Sequence, residues 1–141
     1  MFIDPHGDVA RHMVRGAAHV GKEVQYIDIA DPDSAIGYNP LLRVSAHYRP
    51  LVASGLLSVL KKMWPDAWGV RMEHILRNTL LALLDQPYAQ LPDVLRMLNE
   101  KVFRASVVRE IQNAQVKKFW TNEFPQYTGR FAADAIAPIQ N

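Results

Sequence analysis

Apolar residues follow two different spacings along this chain, and the change between them limits its fold more than any other feature. Residues 2–3 and 24–29 have the short apolar pattern of strands, and they flank a helical pattern over residues 9–20. From His47 onward the spacing is helical. The sequence therefore predicts a mainly α protein, in which a helical bundle is preceded by a short β-α-β unit.

The β-α-β unit is predicted from the turn and capping residues that separate its elements. A first strand would end at Ile3, because a proline and a glycine follow in the stretch 4–8, where Asp8 can cap a helix. Gly21 would end that helix, and Val24–Ile29 would form the second strand. Two parallel strands are too few to stand alone, because both faces of a parallel sheet need cover. We therefore expect a sheet edge that belongs to a larger fold, with the chain truncated at its start.

A turn-rich stretch over residues 30–46 predicts the boundary between two parts. Residues 1–43 would be a partial β-α-β unit of an α/β domain, and residues 44–141 an all-helical domain. Helices are expected at Tyr48–Met63, Trp68–Leu84, Leu91–Asn99, Phe103–Asn113, Ala114–Glu123 and Gly129–Gln140. The strongest is Trp68–Leu84, which is predicted to be a core helix. Its apolar stripe consists of Met72, Ile75, Leu76, Thr79, Leu80, Leu83 and Leu84.

Composition excludes several classes of protein. With 49% hydrophobic and 21% charged residues, the chain has the mix of an ordinary folded domain. It has no cysteine, which excludes disulfides, thiolate zinc sites and cysteine nucleophiles. It has neither an apolar stretch of roughly 20 residues nor a signal-peptide pattern, so we expect no membrane segment and a cytoplasmic location.

Complete catalytic sets are missing from the sequence. It contains neither Gly-x-x-x-x-Gly-Lys-[Ser/Thr] nor a strand that ends in paired acidic residues, so the chain alone is not expected to hydrolyse ATP. His12 and His19 are two helical turns apart, too far to share a metal ion, and no metal site is expected. His74 follows Glu73, but neighbours on a helix point in different directions. An independent small enzyme is the least supported interpretation.

Basic residues cluster in the last third of the chain, interrupted by two glutamates and accompanied by aromatic residues. The cluster consists of Lys101, Arg104, Arg109, Lys117 and Lys118. One interpretation is a solvated helix face with aromatic core anchors. The other is a patch that contacts DNA phosphates, without sequence specificity, or an acidic partner protein.

Two stretches resemble a known family. The turn Asp4-Pro5-His6-Gly7-Asp8 before a helix, followed by Tyr26-Ile27-Asp28 and by residues 36–41, is similar to the segment after the phosphate-binding helix of HerA- and FtsK-type DNA pumps. The similarity is greatest to conjugative type IV secretion coupling ATPases. Residues 68–84 resemble the opening helix of the all-helical domain that is inserted into the motor fold of that family.

The resemblance implies roles for the turn. Asp4 would lie beside the phosphate-binding loop and help organise the nucleotide site, while His6 and Gly7 would shape the turn. Asp8 matches a position that is often acidic. By the same resemblance, residues 1–43 would belong to a RecA-like α/β ATPase domain, whose Walker A and Walker B motifs would lie upstream and downstream of this chain.

The resemblance also implies partners. The full-length parent would be a homo-hexameric DNA-translocating ATPase that binds ATP and Mg²⁺ and is attached to the inner membrane through other segments. The helical domain would engage substrate DNA or DNA-processing proteins of the relaxosome. The alternative is a free-standing helical protein-interaction module that binds no nucleotide.

Overall fold

The computed structural model describes residues 2–31, 33 and 37–127 of the chain. It divides into two compact units, Met1–Tyr38 and Asn39–Asn141. The division falls inside the turn-rich stretch that the sequence places between its two parts. The mainly helical prediction is confirmed.

The first unit is built around helix α1, Asp8–His19. Its end is a Schellman motif, in which the Lys22 N–H donates to the Ala17 carbonyl at 3.0 Å and the Gly21 N–H donates to the Ala18 carbonyl at 3.2 Å. Gly21 therefore stops the helix as its position predicts.

The strands expected on either side of α1 are not formed within the part of the chain that the structure describes. Phe2 and Ile3 and the stretch 24–29 are extended or irregular and form no ladder there. Their apolar side chains are open to solvent, with Ile3 74% and Ile29 97% exposed. Two parallel strands are unstable alone because neighbouring strands must pair with them and helices must cover both faces of the sheet. The β-α-β prediction is thus correct here only for its helix.

The second unit is helical throughout its described length. Its helices are α2 (Arg49–Met63), α3 (Val70–Leu84), α4 (Asp93–Asn99), α5 (Lys101–Glu110) and α6 (Ala114–Lys118), followed by a π-helical turn at Phe119–Glu123 and a 3₁₀ turn at Phe124–Gln126. Further 3₁₀ turns lie at Ala46–Tyr48 and Pro65–Ala67. The expected helix at residues 129–140 lies outside the described residues. No helix in the described ranges is both long enough and apolar enough to span a membrane.

Helix α3 is the centre of the second unit, as its apolar stripe predicts. More than half of its residues are buried, and they are Met72, Ile75, Leu76, Thr79, Leu80, Ala82, Leu83 and Leu84. It packs against α2, α4, α5 and α6. The Thr79 hydroxyl donates to the Ile75 carbonyl at 2.8 Å, so the one buried polar side chain of this helix is satisfied. A complete core therefore forms inside this unit.

A buried ion pair fixes the ends of two helices to a linker. Asp85 directly follows α3, and its side chain is only 5% exposed. One carboxylate oxygen accepts a 2.5 Å bond from the Arg49 guanidinium, and the other accepts the Gln112 backbone N–H at 2.9 Å. Because Arg49 begins α2 and Gln112 lies between α5 and α6, Asp85 joins three parts of the bundle.

Candidate functional site

The Asp4 carboxylate organises the turn at the start of α1. One of its oxygens accepts the His6 backbone N–H at 3.1 Å, and the other accepts the Ala10 N–H at 2.9 Å. The N-cap residue is Gly7, at φ 78°, which has no side chain to accept a bond from the first helical turn. Asp4 supplies that acceptor from three residues upstream. The bond from Ala10 is the largest of several that hold the pKa of Asp4 below its ordinary value.

The turn geometry corrects the predicted N-cap of α1, while the predicted role of the turn beside a nucleotide stays a prediction. The expected cap, Asp8, is instead the first residue of the helix, and Gly7 holds the N-cap position. His6 and Asp8 are exposed beside Asp4. The structure thus brings the four turn residues together and gives Asp4 a backbone-organising role, while a role beside bound nucleotide stays a prediction.

A small polar cluster attaches the returning segment to α1. The Tyr26 hydroxyl donates to an Asp28 carboxylate oxygen at 3.3 Å, and the Arg11 guanidinium lies 3.9 Å from that oxygen. The interaction with Tyr26 is the main cause that raises the pKa of Arg11, and the charge of Asp28 raises it further. The cluster holds residues 24–28 alongside the helix even though no strand forms there.

Helix α1 exposes an apolar stripe. Val9, Met13, Gly16 and Val20 recur at helical spacing, and the three with side chains are 54%, 54% and 69% exposed. No described atom lies within 4 Å of the position that a Cβ on Gly16 would take. None of the described residues between 2 and 38 is buried. An apolar stripe of this length is normally covered, and a glycine within it permits the close approach of another backbone.

The predicted basic cluster is divided by the fold. Arg104 donates to the carbonyls of Met97 and Leu98 at 2.8 and 2.9 Å, which are among the last carbonyls of α4. Its guanidinium also lies 5.1 Å from the centre of the Phe124 ring, and burial lowers its pKa. Arg104 therefore caps the end of α4, and its role in a contact patch stays a prediction.

The remaining basic residues stay near the surface. The Lys117 ammonium donates to the Arg109 carbonyl at 3.1 Å, so these two lie together at the junction of α5 and α6, next to Lys118. Lys101 starts α5, about 12 Å from Arg109 along the helix axis. Lys101, Arg109 and Lys118 are exposed. The candidate patch thus consists of three exposed cations and a partly buried Lys117.

A polar cleft between α3 and the α6 region escapes prediction from the sequence. It has a volume of about 580 Å³, and its walls include Arg77, Asn78, Asn113, Lys118 and Asn122. On one wall, His74 Nε2 lies 2.9 Å from a Glu123 carboxylate oxygen. Glu123 is separated from His74 by 49 residues, so no local pattern relates them. Glu73, the sequence neighbour of His74, instead accepts a 2.7 Å bond from the Trp68 indole.

A tyrosine completes the hydrogen-bond network around Glu123. The Tyr127 hydroxyl donates to the same Glu123 oxygen at 2.5 Å, and this bond is the main reason why the pKa of Glu123 is below its ordinary value. Burial, followed by the bond to Glu123, raises the pKa of Tyr127 to about 12. The three side chains attach the π-helical turn to α3, and π turns of this kind often accompany functional sites.

The cap of helix α6 is a functional detail that a local signal could have revealed. The Asn113 side-chain oxygen accepts the N–H groups of Gln115 and Val116 at 2.9 and 3.2 Å. Asparagine is among the preferred N-cap residues, and here it precedes the short helical run directly. This cap fixes one rim of the polar cleft.

Charge is distributed unequally between the two units. Residues 39–127 contain twelve lysines and arginines against seven aspartates and glutamates, whereas residues 1–38 contain three against six. The formal net charge of +2 for the whole chain conceals this contrast. The helical unit therefore has an excess of positive charge over its described residues.

No family model matches this sequence, and neither the curated proteins nor the solved structures include a match. No group of three or more side chains suited to a metal ion occurs among the residues that the structure describes. The family resemblance therefore remains a prediction from the residues themselves.

Proposed function

We propose that this chain is a segment of a DNA-translocating coupling ATPase of the conjugative type IV secretion class, in which the helical unit recognises DNA or a partner protein. The main support is the contrast between the two units. Residues 39–127 enclose a complete core, whereas residues 2–38 contain a well-organised turn and helix without one buried side chain among those described. A unit of the second kind needs cover from a larger fold.

The exposed stripe of α1 is suited to packing on a sheet. In the proposed parent, residues 2–3 and 24–29 would pair with neighbouring strands, and Asp4 would then lie at the carboxyl end of its strand. Open α/β sheets bind their ligands in the crevice outside those ends. ATP and Mg²⁺ would be held in the parent by Walker motifs that this chain lacks, so the chain alone supplies only the neighbouring turn.

The helical unit would serve recognition rather than hydrolysis. Its own core lets it fold as an insertion beside the motor, and its excess of basic residues suits phosphates or an acidic protein. In a hexameric parent, six such units would surround the translocation path.

A second candidate function is a free-standing helical interaction module that binds no nucleotide. The observation in its favour is that the described residues contain no strand, while the helical unit needs none for its core. The two candidates differ in what the remainder of the gene encodes.

Sequencing the coding DNA on both sides of this segment separates the two candidates. For a coupling ATPase, we expect Gly-x-x-x-x-Gly-Lys-[Ser/Thr] in the same reading frame within some tens of residues upstream, and a strand with paired acidic residues downstream. Calorimetry with ATP should detect no binding to the chain alone. A frame without these motifs on either side would instead favour the interaction module.

The exposed basic residues at the α5–α6 junction predict salt-dependent DNA binding. In fluorescence anisotropy with a 30-base-pair duplex at low salt, Arg109→Glu combined with Lys118→Glu should weaken binding at least tenfold. Each lost phosphate contact lowers the slope of log K against log salt by roughly 0.9, so the double variant should reduce it by about 2. Lys117 is left intact because its ammonium caps α5.

The matched control for that experiment is Arg15→Glu combined with Lys22→Glu, which reverses two exposed charges in the first unit. We expect it to leave the slope unchanged. An equal loss of binding in the control would point to net charge rather than to a patch. A wild-type chain that fails to bind at low salt would identify the basic residues as a solvated helix face.

A further inference from the structure

Helix α2 is apolar on two opposite sides. No charged residue occurs between Pro50 and Leu60. Ala53 and Leu57 are buried in the core, on the side that faces α3. On the other side Leu51 is 69% and Val59 54% exposed. A helix that is apolar on two sides normally packs against neighbours on both, and the described residues cover only one side of α2.

The exposed side is a regular stripe. It consists of Leu51, Gly55, Val59 and Met63, each four residues after the last and hence on one face of the helix. Met63 is 59% exposed, and Trp64 beside it is 51% exposed. Leu51, Gly55, Val59 and Met63 form the α2 stripe, which is about 18 Å long. That length matches a partner helix of three to four turns.

Gly55 lies in the middle of the α2 stripe and has no role in the described core. A Cβ at this position would meet no described atom within 4 Å. Glycine inside a helix is less stable than alanine by roughly 0.5–1 kcal/mol, and the described residues offer no compensation. The absence of a side chain at Gly55 would let another helix cross α2 closely at this point, because small residues allow two helix axes to approach.

Charge selects the kind of helix that fits. Lys62 is exposed one residue before Met63, at the edge of the α2 stripe. The whole helical unit has twelve basic against seven acidic residues between 39 and 127. A second copy would bring like charges together, and DNA would find no cation on the uncharged stretch 50–60. A helix with carboxylates beside its own apolar stripe would cover the apolar residues of α2 and also place negative charge near Lys62.

We propose that the α2 stripe is a docking site for an acidic amphipathic helix of a partner protein. The partner's apolar side chains at positions i, i+4 and i+7 would pack on Leu51, Val59 and Met63, with a small gap at Gly55 filled by one of them. Its carboxylates would lie near Lys62. This inference rests on the proposed recognition role of the helical unit and names its surface and the chemistry of its partner.

Two synthetic 18-residue peptides test the proposal with the whole chain. Both have the same leucine stripe, but one has glutamate and the other lysine along its edges, and binding is followed by fluorescence anisotropy. The acidic peptide should bind at least tenfold more tightly than the basic one. Val59→Glu and Gly55→Leu should each lower the affinity of the chain for the acidic peptide at least tenfold. Val102→Glu, which changes an exposed valine on α5, should have no effect.

Gly55→Leu separates docking from folding. Because no described atom opposes the new side chain, its melting temperature should not fall, while its affinity for the acidic peptide should. Equal binding by wild type and Gly55→Leu, or no preference for the acidic peptide, would overturn the proposal. A dimer in sedimentation experiments that Val59→Glu dissolves would also overturn it, in favour of self-association. None of these outcomes bears on the reading-frame test of the motor assignment.

Discussion

Replacing Asp85 with alanine should lower the free energy of unfolding of the helical unit by about 3 kcal/mol. Removing one partner of a buried ion pair typically costs about 3–5 kcal/mol, because the other charge stays buried without compensation. Asp85 is 5% exposed, but the Arg49 side chain is 25% exposed, which places the expected loss at the lower end. The Gln112 N–H would also lose its acceptor. Chemical denaturation followed by circular dichroism measures the change.

The controls separate the pair from a general effect of charge removal. Arg49→Met leaves the Asp85 carboxylate unpaired and should be nearly as harmful, and the double variant should cost clearly less than the two single losses combined. Glu100→Ala removes a surface partner of Arg96, 52% exposed, and should cost less than about 1 kcal/mol. If Asp85→Ala were as mild as Glu100→Ala, the assigned role of the pair would be wrong.

The parts of the fold that were predictable are those set by local periodicity. The helix that became α3 has its apolar residues at regular spacing, and every residue of the predicted stripe is buried. The stop at Gly21 is likewise a local signal. The strands were not predictable in this sense, since a strand depends on neighbours that its own residues do not encode.

The candidate site was less predictable because its contacts are distant in the sequence. Arg49 and Asp85 are separated by 36 residues, and His74 and Glu123 by 49. The basic cluster is a second example of contacts that the sequence does not reveal. Its composition shows five cations, but only the fold reveals that Arg104 is bonded to the end of α4. Charged residues can be counted from the sequence, but the sequence does not show which of them caps a helix.

Replacing Trp120 with alanine should lower the free energy of unfolding by about 3–5 kcal/mol, the usual range for removing a buried aromatic side chain. Trp120 is 3% exposed, and its indole N–H donates to the Asn78 carbonyl at 3.3 Å. Its ring centre lies 5.2 Å from that of Phe119 and 4.5 Å from that of Phe124. The loss would therefore include the transfer free energy of the indole, a cavity, and several ring contacts.

The consequences of that substitution reach the polar cleft, because Trp120 belongs to the π-helical turn that contains Glu123. We expect Trp120→Ala to loosen the His74–Glu123 contact, which the histidine ring signals in NMR spectra would report as a change in chemical shift. Trp120→Phe keeps an aromatic ring and should cost less, since it loses mainly the bond to Asn78 and part of the volume. Trp64→Ala removes an indole that is 51% exposed and should cost far less. Equal losses for Trp64 and Trp120 would mean that the π turn does not anchor the bundle, and the cleft would then lack a fixed wall.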